Sequence, residues 1–203
     1  MEKLRLLYPD AQIIHLIRDP RDVIASLKKM PWWNNSLNYS ALNWKLAIRH
    51  GINARMNTKL DEYLELRYED LLAEPERELQ RVCQFLSETY DPAMLQFQGI
   101  AQRAVPDYKM GWHSATREPL NASSVGRWEK DFSTEEISIV EWATGEEMVQ
   151  LGYTLSKVQE PDFQARNSYE KEARTFKTRQ RRLEMTDSIF SFFYRWEMDY
   201  RMG

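Results

Sequence analysis

Ala11-Gln12-Ile13-Ile14-His15-Leu16-Ile17-Arg18-Asp19-Pro20-Arg21-Asp22-Val23-Ile24-Ala25-Ser26 joins two opposite patterns without a gap. Residues 11–17 form a β-branched apolar run of strand length, and such near-continuous apolarity suits a parallel strand covered on both faces. The next residues switch to a helical pattern. Asp19 suits an N-cap, Pro20 the first helical position and Asp22 the first turn. Strand, tight turn and helix make half of a βαβ unit.

The rest of the chain repeats the alternation. Residues 38–60 place Trp44, Ala47, Ile48, Gly51, Ile52 and Arg55 at helical spacing, as a crossover helix would. Tyr63-Leu64-Glu65-Leu66-Arg67-Tyr68 alternates like a strand, and Glu69-Asp70-Leu71-Leu72 leads into a helix running to about Leu86. Residues 91–126, with Pro92, Pro106 and Pro119, read as a long irregular connection, a length that is commonly functional. Ser133-Thr134-Glu135-Glu136 is a capping box opening a helix to about Leu151, with Gly152 as its stop. Alternating strands and helices predict an α/β fold, a parallel sheet with flanking helices. Residues 1–158 read as one domain and 159–203 as a basic and aromatic helical tail. In the tail, residues 171–182 hold six Lys or Arg against one Glu, and residues 190–200 hold six aromatics. The tail suits a helix with a solvated basic face and a docked aromatic end. Its basic and apolar residues, lying in successive blocks, argue against a membrane-surface helix.

Composition narrows the function. A net charge of −3 over 203 residues gives no long-range attraction to nucleic acid, so an anion site needs a few placed cations. No apolar run approaches ~18 residues, so no transmembrane segment is expected. The start of the chain is too charged for a signal peptide, and a cytoplasmic location is expected. The single Cys83 repeats helically with Leu79, Val82 and Leu86, as a small buried hydrophobe would. Three His and one Cys offer no metal-ligand spacing.

Arg18 stands where the first strand ends and the helix begins, the place where open α/β sheets bind ligands. A helix start offers free N–H groups and positive potential, so phosphate is a natural guest there. Arg18 would add a bidentate contact and Ser26, about two turns on, a hydroxyl. On spacing alone the Arg-Asp-Pro turn serves equally as a phosphate cradle or as a structural cap.

Ile14-His15-Leu16-Ile17-Arg18-Asp19-Pro20-Arg21-Asp22-Val23-Ile24-Ala25-Ser26 resembles the 3′-phosphate-binding segment of PAPS-dependent sulfotransferases. Leu66-Arg67-Tyr68-Glu69-Asp70-Leu71, with Glu74-Pro75 and Gln84-Phe85-Leu86 after it, resembles the strand whose Tyr contacts the adenine end. Ser123-Ser124-Val125-Gly126-Arg127-Trp128 resembles the loop that closes over the nucleotide, and Leu151-Gly152-Tyr153 follows in the familiar place. The likeness covers roughly residues 5–155 and is nearest the bacterial and tyrosylprotein-type branch. It implies a P-loop-NTPase-like sulfotransferase fold, N-terminally incomplete, that moves a sulfuryl group from PAPS to a hydroxyl or amine. The product would be adenosine 3′,5′-bisphosphate, and the acceptor a small molecule, a glycan or a peptide.

The resemblance carries Arg18 and Ser26 over directly to the 3′-phosphate. It implies that Tyr68 meets the adenine side and that Arg127, with Ser124 beside it, closes on phosphate; an ordinary strand aromatic and a surface Arg are the plain alternatives. Lys130 and Arg117 would only add positive potential, Trp128 would anchor the loop, and His113 is not the base. The family's Gly- and Lys/Arg-containing loop for the 5′-phosphosulfate has no counterpart, because the seven glycines never cluster. No catalytic base is identifiable either, so a truncated chain inactive alone is expected. A non-catalytic nucleotide-binding or regulatory module and an interaction protein remain the alternatives. An incomplete core, or the aromatic tail, would favour self-association.

Overall fold

A computed structural model describes residues 8, 10–59, 61–96 and 122–202, with side chains through 186. Two parallel strands, β1 (Ile13–Ile17) and β2 (Tyr63–Arg67), pair in register from Ile13 opposite Tyr63 to Ile17 opposite Arg67. Helix α1 (Pro20–Lys28) follows β1, and α2 (Leu37–Met56) makes the crossover to β2. Helices α3 (Tyr68–Ala73) and α4 (Pro75–Phe85) follow β2, divided at Glu74 because Pro75 opens a new helix. Beyond come α5 (Trp128–Asp131), α6 (Thr134–Gln150) and α7 (Phe163–Met202). The architecture is α/β, with a parallel sheet and flanking helices, as the sequence predicts.

Local chemistry explains the helix ends. Asp19 Oδ1 accepts from the Arg21 N–H at 2.8 Å, with Pro20 at the first helical position. Ser36 caps α2 by accepting from the Tyr39 N–H at 3.0 Å. The Ser133–Glu136 capping box forms in both directions, and Gly152, at φ +78°, takes the left-handed turn that ends α6. Cys83 is buried, with its thiol 3.7 Å from the Met94 sulfur.

Two buried clusters hold the layers together. Ile24 and Ala25 of α1, Ala41 of α2, Trp128, Phe132, and Ile139, Val140 and Ala143 of α6 form one, with Tyr169 of α7 inserted. Ile17, Trp44, Ile48, Met148 and Tyr153 form the other, seating β1 against α2 and α6. At the strand's inner face His15 lies against Gly51, where an added Cβ would overlap the imidazole. The Tyr63 hydroxyl donates to the Gly51 carbonyl at 2.9 Å and meets His15 Nδ1 at 2.7 Å. Burial lowers the His15 pKa despite the opposing pull of Glu65.

Three expectations need correction. The strand at 11–17 is covered on one face only: Ile17 is buried, whereas Ile14 is 40 % and Leu16 54 % exposed. A parallel strand is apolar on both faces because other layers cover both, and here the described layers lie on one side. Tyr68 is not a strand residue; it opens α3 one residue after β2 ends. The tail's residues are not simply blocked by type. In its first half the docked face (Ala165, Tyr169, Ala173, Phe176) lies opposite exposed cations. Of the long connection, residues 97–121 lie outside the described residues, and so do His113, Arg117 and residues 1–7.

Candidate functional site

Strand register explains why the first two site residues meet. Ile17 and Arg67 are paired, so the residues that follow, Arg18 and Tyr68, emerge side by side at the carboxyl ends of the two strands. The Arg18 guanidinium lies over the Tyr68 ring, 4.4 Å from its centroid. Its backbone carbonyl accepts from the Trp44 indole N–H at 3.1 Å, fixing the turn to α2.

The third member arrives from a distant segment. Arg18 Nη2 donates to the Ser124 carbonyl at 2.8 Å, and the Tyr68 hydroxyl meets Ser124 Oγ at 3.2 Å. Arg18, Tyr68 and Ser124 therefore form one half-buried contact group. Arg18 enters no carboxylate pair among the described residues, and its Nε is buried without a hydrogen-bond partner. A buried, unpartnered donor of a permanent cation calls for an acceptor, and a phosphate oxygen is a fitting one. The residues present thus suit an anionic nucleotide group.

Ser26 and Arg127 are placed differently. Ser26 is exposed on α1, and its hydroxyl has no protein partner among the described residues. The Arg127 side chain is exposed at the start of α5, with Nε 3.9 Å from Asp131 Oδ2. Lys29 Nζ occupies that same carboxylate oxygen at 2.5 Å and holds the Asp131 pKa low. Arg127 is therefore only loosely tethered. Among the described residues neither hydrogen-bonds to nor ion-pairs with the Arg18 group. Lys130 is exposed on α5, and Trp128 is buried as the loop's anchor.

Three supporting residues escaped the sequence reading. Asp22, only 2 % exposed, accepts from the backbone N–H of Gly126 at 2.8 Å and of Trp128 at 3.1 Å. It ties the Ser124 loop to the first turn of α1. Burial pushes its carboxyl above the usual carboxylate range, opposed by those two donors. Arg21 is buried between Asp19 and Glu141, each 2.6 Å away, and lies over the Trp128 ring at 4.0 Å. Burial works against its charge, but the two carboxylates outweigh it and keep Arg21 firmly cationic. Glu69 links the turn to the end of α6. One of its oxygens accepts from the Asp19 N–H at 2.8 Å, the other from the Tyr153 hydroxyl at 2.9 Å. The second half of the Arg-Asp-Pro-Arg-Asp run is structural, and among the described residues Arg18 is its one cation outside a carboxylate ion pair. Only the acidic residue in the first turn hinted at this, and a first-turn acid is ordinarily read as a partner of the helix dipole.

Comparison with known proteins agrees with the geometry. Residues 1–92 match the model of the sulfotransferase family. A Caenorhabditis briggsae protein named for protein-tyrosine sulfotransferase activity is 29 % identical over 137 residues, covering 64 % of this chain and 48 % of the relative. The omega-hydroxy-beta-dihydromenaquinone-9 sulfotransferase of Mycobacterium tuberculosis is 32 % identical over 131 residues, covering 55 % of this chain and 32 % of the relative. The chain thus spans about half the length, or less, of the curated relatives it matches. Two solved structures share the fold. The sulfotransferase domain of the Synechococcus PCC 7002 olefin synthase superposes with TM-score 0.60 at 24 % identity, covering 72 % of this chain and 50 % of that domain. The sulfotransferase domain of the curacin biosynthetic pathway superposes with TM-score 0.58 at 21 % identity, covering 76 % and 58 %.

Proposed function

From a sulfotransferase fold and a sulfotransferase-family match over residues 1–92, we propose that this chain supplies the 3′-phosphate-binding half of a PAPS-dependent sulfotransferase. The observation that carries the reading is the Arg18 guanidinium. It is set over Tyr68, in no ion pair with a described carboxylate, and has a buried Nε without a partner. Arg18 binds the 3′-phosphate, Tyr68 and Ser124 hold Arg18 and border the nucleotide, and Ser26 and Arg127 are rim donors that reach it when it is bound.

PAPS supplies an activated sulfuryl group. In the overall reaction the bond between sulfur and the 5′-phosphate oxygen breaks while the acceptor hydroxyl oxygen bonds to sulfur. The hydroxyl proton leaves to a base, and adenosine 3′,5′-bisphosphate remains. These 203 residues provide the grip on the nucleotide. His15 is engaged with Tyr63 at the inner face of β1 and does not serve as the base. No glycine cluster among them suits the 5′-phosphosulfate, so turnover is proposed to need a segment outside this stretch. A binding module without turnover is the second reading, and it rests on that same lack.

The relatives' names point to a phenolic hydroxyl in one case and an ω-hydroxyl in the other, so a hydroxyl acceptor is proposed rather than an amine. Residues 1–158 carry nucleotide binding, and 159–203 form a tail whose first half packs on that body through Tyr169 and Phe176. A cytoplasmic site of action is part of the proposal; among the described residues no helix is long and apolar enough to cross a membrane. Self-association would use the uncovered Ile14 and Leu16 face.

Calorimetry with adenosine 3′,5′-bisphosphate and with adenosine 5′-monophosphate tests the reading. The bisphosphate should bind more tightly, and Arg18→Ala should remove that preference. The loss is about 1.5–3 kcal/mol, the value of a hydrogen bond to a charged group. Equal affinity of the two proteins for the bisphosphate refutes the site.

A further inference from the structure

Helix α1 opens without the local device its sequence provides. Asp19 is the N-cap, Pro20 the first helical residue and Asp22 the third. In a capping box the acid at the third position reaches back to the N-cap N–H. Here both Asp22 oxygens are turned away, to the Gly126 and Trp128 N–H groups at 2.8 and 3.1 Å. The Asp19 N–H goes instead to Glu69 Oε1, 2.8 Å away and 50 positions on in the chain.

Each exchange of partner brings a neighbour of the new partner onto Arg18. Glu69 follows Tyr68, whose ring centroid lies 4.4 Å from the Arg18 guanidinium. Gly126 stands two residues after Ser124, whose carbonyl accepts from Arg18 Nη2 at 2.8 Å. The peptide between Arg18 and Asp19 is gripped at both polar ends. The Trp44 indole donates to its carbonyl at 3.1 Å, and Glu69 accepts from its N–H. Its orientation fixes ψ of Arg18, and so the direction of that side chain relative to α1.

Glu69 is itself held. Its second oxygen accepts from the Tyr153 hydroxyl at 2.9 Å. Tyr153 is buried in the same cluster as Trp44 and carries the Arg67 guanidinium 4.4 Å from its ring centroid. Burial, and after it Glu69, push the phenol above its ordinary range, so it stays protonated and donates. A carboxylate with each oxygen committed to a different donor has little freedom to swing.

We propose that Glu69 is a positioning residue for the nucleotide's 3′-phosphate, holding Arg18 in its binding direction through the Asp19 N–H; this rests on Arg18 being the ligand of that phosphate. An acid in the first turn of a helix ordinarily answers the helix dipole, and Glu69 holds that place in α3. The dipole needs only charge near the helix start. Positioning needs a side chain that reaches the Asp19 N–H and the Tyr153 hydroxyl at once. The two roles therefore part on length: an aspartate serves the first and a glutamine the second.

Calorimetry of the full chain with adenosine 3′,5′-bisphosphate and adenosine 5′-monophosphate tests this, because the ratio of the two affinities isolates the 3′-phosphate. Glu69→Asp should lower that ratio by about three- to tenfold, the worth of one net hydrogen bond. Glu69→Gln should keep it near the parent's, since its carbonyl still accepts from Asp19 and its NH₂ can donate to the Tyr153 oxygen. Added to Arg18→Ala, Glu69→Asp should change the ratio no further, because Glu69 acts through Arg18. Loss of stability alone would weaken both nucleotides alike and leave the ratio standing. A Glu69→Asp ratio equal to the parent's, where Arg18→Ala has lost its preference, overturns the positioning role and leaves the phosphate site intact. A Glu69→Gln ratio as low as that of Glu69→Asp, or a further fall in the double variant, overturns it as well. A preference that survives Arg18→Ala refutes the site itself, and the positioning role with it.

Discussion

Replacing Asp22 by Ala should release the loop that carries Ser124. Asp22 is buried and accepts two backbone N–H groups, from Gly126 at 2.8 Å and Trp128 at 3.1 Å. Hydrogen bonds to a charged group contribute about 1.5–3 kcal/mol each, so two set a ceiling of about 6 kcal/mol. The ceiling is not reached. Burial pushes this carboxyl above its usual range, so its charge is not fully compensated, and the half-buried Gly126 N–H gains water once freed. About 3 kcal/mol is the expected loss, a fall in Tm of about 6–12 °C for a chain this size. Asp22→Asn keeps the shape and one acceptor while setting an NH₂ against the other N–H, and should cost about 1–2 kcal/mol. Urea unfolding gives the magnitudes, and amide exchange identifies their source. The Gly126 and Trp128 amides should lose protection in Asp22→Ala while the α6 amides keep theirs. Unchanged protection at these two amides, or a stability loss below about 0.5 kcal/mol, would refute the clamp.

Arg21→Met should destabilise the fold by about 3–5 kcal/mol in denaturant unfolding, because Asp19 and Glu141 would be left buried without their cation. Adding Asp19→Asn and Glu141→Gln should recover much of it, and a single variant as stable as the parent would contradict the network. Acid should weaken the protein through His15, whose folded pKa lies below its ordinary 6.5. The unfolded chain then takes up the proton first. Stability is full above pH 6.5 and falls as the pH drops toward and through the folded value. Urea midpoints between about pH 7 and pH 5 measure the slope, and His15→Gln should flatten it. Leu16→Lys should reduce self-association in sedimentation velocity, since Leu16 is the more exposed of the two apolar residues on the open strand face.

Much of the fold was legible because it obeys local rules. Strand, capped turn and helix over 11–28 follow from the apolar run, Asp19 and Pro20, and the Ser133 capping box and Gly152 bound α6. Arg18, at the end of a strand, was legible as a candidate anion ligand for the same reason. Tyr68 was misread as a strand residue because alternation continues one residue past the ladder, and boundaries are where period arguments are weakest. The long-range roles of Asp22 and Arg21 were not legible. Their partners Gly126, Trp128 and Glu141 lie more than a hundred residues away, and no local pattern encodes such a meeting.

The sequence by itself determined which residue types stand at the strand–helix junction, the order of the elements and the charge of the tail. Those depend on neighbours within a few positions. Only the tertiary structure decided that Ser124 closes on Arg18, that Asp22 holds it there, and that among the described residues Ile14 and Leu16 of β1 stay exposed. It also decided which way α7 faces, because Tyr169 and Phe176 dock and so turn the cations outward. Long-range hydrogen bonds and burial follow from how the layers pack, and packing is a property of the whole chain rather than of any stretch.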